Sequence, residues 1–101
     1  MKAEKLELVR GSGNVFRDLR RENADVLQFK AILAAEIIKA LDRDQLTVRA
    51  AHDRTGIAAA DFSRIRNADL GRFTVDRLMS VLNRLGSRVE VKIRVRPIKA
   101  A

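Results

Sequence analysis

A chain of 101 residues, 47% of them hydrophobic, is long enough for one domain with a single modest core. Its 21 Lys and Arg against 13 Asp and Glu leave a formal net charge of +8, which favours a polyanion as partner: DNA, RNA or an anionic membrane surface. With no cysteine a disulfide framework and a thiolate metal site are excluded, no apolar run approaches the roughly 18 residues of a membrane span, and the N-terminus lacks a signal-peptide core, so a cytoplasmic protein is expected.

Residues 1–23 read as an N-terminal extension. Leu6-Glu7-Leu8-Val9 suits a short strand, Gly11-Ser12-Gly13 breaks it, and Asn14 caps a brief helical turn through Leu19. From Asp25 the pattern becomes helical, with Leu27, Ala31, Ala34, Ile38 and Leu41 on one face. Asp25 and Gln28 stand where an N-cap and its capping-box partner belong, and the helix is expected to end near Leu41 to Arg43.

Thr47 is a good N-cap for the next helix, whose inward residues Ala50 and Ala51 are small enough to let another helix approach closely. Gly56 stops that helix where positive φ is cheapest for glycine, and Ile57 drops into the core. The following helix starts near Ala58. Asp61, at its third position, is placed to reach back to an exposed amide, and Ile57 with Phe62 forms a hydrophobic staple. Ala59, Ala60, Ser63, Arg64 and Asn67 then face outward, and two short helices hinged at Gly56-Ile57 have the layout of a helix-turn-helix.

Residues 68–73 read as a loop. Thr74 caps a helix with Val75, Leu78, Met79, Leu82 and Leu85 on one face, ended by Gly86. Beyond it the period changes to two: Val89, Val91, Ile93 and Val95 alternate with Glu90, Lys92, Arg94 and Arg96 until Pro97. A lone half-buried strand must pair with something, either Leu6–Val9 or the same strand of a second copy, and a homodimer held partly through Val89, Val91, Ile93 and Val95 is the favoured reading. The organisation expected is an extension (1–23), a helix-turn-helix domain (24–86) and a strand with a basic tail (87–101).

Residues 24–86, with the Leu46-Thr47 start, the Gly56-Ile57 turn and the Ser63-Arg64-Ile65-x-Asn67 segment, resemble the XRE-type regulators of the Cro and phage-repressor class. The fold this implies is mainly α, a five-helix lambda-repressor-like bundle, here followed by a β-strand that pairs in a small sheet or across a dimer. More narrowly, Gly11 to Leu19, Phe73-Thr74-Val75-Asp76-Arg77-Leu78 and Leu85 to Val91 resemble small XRE proteins found as antitoxins of HigBA-like modules. That resemblance implies a sequence-specific double-stranded DNA-binding transcriptional regulator, a homodimer that represses its own promoter and masks a cognate toxin.

On this reading Ala59, Ala60, Ser63 and Arg64 contact bases, with the Arg64 guanidinium able to grip guanine O6 and N7. Arg43, Thr47, Arg49, Arg66, Asn67 and Arg72 contact the DNA backbone. The alternative for Arg64 is a surface ion pair with Asp61 at i, i+3. Members of the family commonly carry Gln where this chain has Val48 and Ser-Gln where it has alanine among Ala58-Ala59-Ala60. A protein-binding module that neutralises a toxin with weak or no DNA binding is therefore the rival reading. His52, the single histidine, has no cysteine or second histidine to join it, and no nucleophile-base pair can be assembled, so neither an enzyme nor a metal or other cofactor is expected. Phe16, Phe29, Phe62 and Phe73 fit core or staple positions, and without Tyr or Trp there is little to stack single-stranded bases.

Overall fold

Between Val15 and Arg43 the sequence contains neither glycine nor proline, and in the computed structural model of the chain this whole stretch is one helix, α1 (Val15–Arg43). The structure describes the backbone of residues 4–10 and 15–97 and the side chains of residues 24–97. After α1 come α2 (Val48–Thr55), α3 (Ala59–Arg66) and α4 (Val75–Arg84), and the set is framed by strands β1 (Glu4–Arg10) and β2 (Val89–Val95). The described residues thus hold four helices, not the five expected.

The break expected ahead of Asp25 does not occur. Asp25 lies inside α1 and is only 7% exposed, and Gln28 is exposed on the same helix. An N-cap is worth about 1 kcal/mol, which does not offset the backbone hydrogen bonds given up by interrupting a run of good helix formers. The Gly11-Ser12-Gly13 break and the Asn14 cap lie outside the described residues.

The buried face of α1 also differs from the one expected. Leu33, Ala34, Ile37, Ala40 and Leu41 form the apolar stripe, whereas Leu27 is 60% exposed, Ala31 is exposed and Ile38 half-buried. From Ala24 onward, only the C-terminal part of α1 is covered by the other helices, so the apolar residues Val26 and Leu27 ahead of it stay in contact with solvent. The stripe joins Ala51, Ile57, Phe62, Ile65, Phe73, Leu78, Val81, Leu82 and Leu85 in one core. Of the two alanines expected to face inward from α2, Ala51 is fully buried and Ala50 half-buried.

Helix ends close by left-handed caps. Gly56, at φ 77°, donates its N–H to the His52 carbonyl at 2.7 Å and stops α2. Two non-glycine residues occupy the same backbone region. Gln45 (φ 54°) ends α1, with Leu46 N–H on the Leu41 carbonyl at 2.8 Å, and Ala68 (φ 57°) ends α3, with Asp69 N–H on the Arg64 carbonyl at 2.9 Å. A Cβ built on Gly56 would meet nothing within 4 Å. Gly56→Ala is therefore expected to cost only the backbone penalty, about 1 kcal/mol, as a lowered urea midpoint. A loss above about 3 kcal/mol would show that the turn is packed more tightly than its open surroundings indicate.

β1 and β2 pair in parallel, in a register running from Glu4 opposite Val89 to Arg10 opposite Val95. This register sets Lys5 opposite Glu90, Glu7 opposite Lys92, Leu6 opposite Val91 and Leu8 opposite Ile93. Of the two partners foreseen for β2, the one present is the intrachain strand. Parallel strands require a long crossover, and the entire helical body serves as one. β2 is half-buried only at its start: Val89 and Val91 are half-covered, but Ile93 is 63% and Val95 77% exposed. Of its residues Val89 packs against the core.

Candidate nucleic-acid interface

The candidate interface takes in the start of α2. Thr47 stands in extended conformation and its Oγ1 accepts the Ala50 N–H at 3.1 Å, so α2 begins with its cap satisfied and its first turn at the surface. At the other end of α2 three short bonds fix the turn. The Thr55 hydroxyl donates to the Ala51 carbonyl at 2.7 Å and accepts the Ile57 N–H at 3.1 Å, while His52 Nδ1 lies 2.8 Å from the Ile57 carbonyl. Because a carbonyl only accepts, this contact requires the proton on Nδ1. His52 thus braces the turn that aims α3.

Beyond the turn, Ile57 (2% exposed) and Phe62 and Ile65 (both 0%) hold α3 against the core. Ile57 and Phe62 share the core cluster, as a staple requires. The opposite face carries Ala60 and Ser63, exposed, flanked by the half-exposed Ala59 and Arg64. The four residues expected to touch bases therefore lie on the accessible part of one short helix.

Asp61 does not reach back to the start of its helix. Ala58 has no side-chain cap, and the Asp61 carboxylate faces two guanidiniums instead: Arg64 Nη1 donates to Oδ1 at 2.9 Å, and Arg77 Nη2, from α4, lies 3.8 Å from Oδ2. A charge-assisted bond to Arg outcompetes a neutral amide. The i, i+3 ion pair weighed as the alternative for Arg64 is thus formed, although 34% of the side chain stays accessible.

The residues assigned to the DNA backbone divide into two groups. Arg43 lies 3.2 Å from Asp44, and Arg66 lies 2.9 Å from Asp42, tying the end of α3 to the end of α1. Arg49 and Arg72 are exposed and make no ion pair among the described residues, and Thr47 and Asn67 are exposed as well. Asp44 also accepts from Arg54 at 2.8 Å. The Arg54 guanidinium, with Arg43 behind it, holds the Asp44 carboxyl below the usual carboxylate range.

Sequence reasoning missed Arg77. Its position on the α4 face that meets Asp61 is a tertiary fact, and no local spacing links residues 61 and 77. Arg84 was missed in the same way: its Nη1 donates to the Thr55 carbonyl at 3.2 Å, tying α4 to the end of α2. Among the described residues no group of three His, Cys, Asp or Glu is placed to hold a metal ion, and no helix is long and apolar enough to cross a membrane.

Two short helices joined at a left-handed glycine, the second anchored by two core residues and open on its other face, define a helix-turn-helix domain. A family model described as helix-turn-helix domain matches residues 15–94, and the chain belongs to that family. Membership points to a DNA-binding regulator, with DNA as partner, rather than to an enzyme. No match is found among curated proteins or among solved structures.

Proposed function

We propose that the protein is an XRE-type repressor of its own promoter and the antitoxin of a HigBA-like pair, acting in the cytoplasm as a homodimer on double-stranded DNA. Each subunit inserts Ala59 to Arg64 into one of two successive major grooves about 34 Å apart and excludes polymerase by occupancy. The observation that carries this reading is the open face of α3, where small Ala60 and Ser63 let the helix approach base edges closely beside the accessible Arg64.

In this arrangement Ala59, Ala60, Ser63 and Arg64 meet bases, alanine touching a thymine methyl and Arg64 a guanine. Arg43, Thr47, Arg49, Arg66, Asn67 and Arg72 meet the backbone. The ion pairs of Arg43 with Asp44 and Arg66 with Asp42 are solvent-accessible and worth little, so they exchange readily for phosphate. The exposed Ile93 and Val95 support a dimer in which a second copy adds to β2 along Val89, Val91, Ile93 and Val95.

A gel shift on the duplex upstream of the gene tests the reading directly. Binding that falls with salt is expected, and Arg64→Ala should weaken it by roughly 1–3 kcal/mol with relaxed preference at one base pair. Unchanged affinity in that variant would remove Arg64 from the base-reading set. The alanines at the start of α3 and the Asp61–Arg64 pair favour a second reading, a protein-binding module that neutralises a toxin without gripping DNA. Co-purification with the product of the adjacent gene, together with no shift of the upstream duplex, would establish it.

A further inference from the structure

We infer that Asp61 is a specificity-determining residue: it positions Arg64 for base reading and withholds both Arg64 and Arg77 from indiscriminate contact with phosphates. The inference rests on the DNA-binding reading above. It starts from an oddity, a carboxylate at the entry of the helix that is to meet a polyanion, where its own charge repels the ligand.

The geometry gives that charge a use. Asp61 retains 20% side-chain exposure and divides its two oxygens between two cations, Oδ1 at 2.9 Å from Arg64 Nη1 and Oδ2 at 3.8 Å from Arg77 Nη2. A guanidinium has five N–H donors in a rigid plane. One of the Nη1 donors of Arg64 is spent on Asp61, and the rest of the fork remains to address the two acceptors of a guanine edge in a fixed orientation. Unrestrained, the same side chain would be a flexible cation able to reach any nearby phosphate. Arg77, restrained from α4, is a second cation beside the same helix. Of the four residues assigned to base contact, Ala59, Ala60 and Ser63 carry no long polar side chain, so discrimination falls chiefly on Arg64, and the carboxylate that orients it sets how much is achieved.

A role of this kind moves two quantities in opposite directions, which a merely structural role does not. The full-length protein is titrated with two 30-base-pair duplexes, one enriched by the wild type from a random pool and one of scrambled sequence, across a salt series. Asp61→Asn is nearly isosteric and is first verified by its thermal melt. It is expected to bind the scrambled duplex about three- to tenfold more tightly, with a salt slope steeper by up to about 0.9 for each cation released to a phosphate. Its preference for the enriched duplex is expected to fall roughly tenfold. In an Arg64→Ala background the same change should leave the preference unaltered, because the effect runs through Arg64. Asp61→Ser repeats the measurement if the asparagine variant melts early.

A folded Asp61 variant that keeps the wild-type preference and salt slope overturns the inference while the regulator reading stands. A variant that loses affinity for both duplexes alike also overturns it and assigns Asp61 a structural part only. A wild type that enriches no sequence at all overturns the DNA-binding reading, and this inference with it.

Discussion

Phe62→Ala is expected to destabilise the protein by about 3–5 kcal/mol, read as a shift of the urea midpoint followed by circular dichroism. Phe62 heads the largest fully buried side chains, at 0% exposure. A domain of this size has on the order of 5–15 kcal/mol to lose, so the variant sits close to the unfolding threshold. The damage concentrates in α3, an eight-residue helix too short to be stable by itself. Phe62 and Ile65 are its only fully buried residues. Removing the larger of the two frees the helix from the core, so binding to duplex DNA is expected to disappear with the stability. A loss below about 1 kcal/mol would mean that α3 is held by something other than its apolar face.

The second large effect is expected from Ala51→Leu. Ala51 has 0% exposure and shares the core with Phe62 and Ile65 of α3, the helix that α2 packs against, and a small side chain at such a contact lets helices approach closely. Leucine adds a branched stem where there is no room, at a cost of about 1–3 kcal/mol if the helices shift to accommodate it. The functional loss should exceed that figure. In the proposed DNA-bound arrangement Thr47 and Arg49 at the start of α2 and Arg64 on α3 reach one duplex together, and moving α3 outward would break their common fit. Binding of the upstream duplex is expected to fall more than tenfold in a variant that still melts cooperatively. Wild-type binding by a folded Ala51→Leu would show that the two helices do not act as one unit on DNA.

Much of this architecture was legible because it is set by local chemistry. Thr47 and Thr74 both accept the amide three residues on, as their position ahead of an apolar run indicates. Gly56 adopts the positive φ that a sharp stop demands, and Ile57, Phe62, Leu78 and Leu82 go inside as periodicity requires. The misreadings share a cause, a local preference overruled by something at a distance. Asp25 has the chemistry of a cap, but the chain around it lacks a breaker and the helix runs through. Gln45 and Ala68 take left-handed conformations that nothing in a glutamine or an alanine announces, held there by the hydrogen bonds that close their helices.

At the candidate site the outward residues of α3 could be placed by counting around a helix, as could Arg64 within reach of Asp61. That the carboxylate would turn from its own helix to Arg64 and Arg77 could not, because Arg77 arrives through the packing of α4. Nor could the choice between an intrachain and an intermolecular partner for β2, since alternation fixes which residues share a face and leaves open which strand lies alongside.

The pairing of β1 with β2 has a consequence for the order in which the fold assembles. Glu4 pairs with Val89 across the whole helical body that separates them in sequence. Contacts this distant along the chain carry the heaviest loop-closure cost and form late, so the helices, whose contacts are mostly nearer in sequence, assemble around α1 before the ribbon zips. The ribbon is then the last part of the fold to close, a clasp drawn across a helical body already in place.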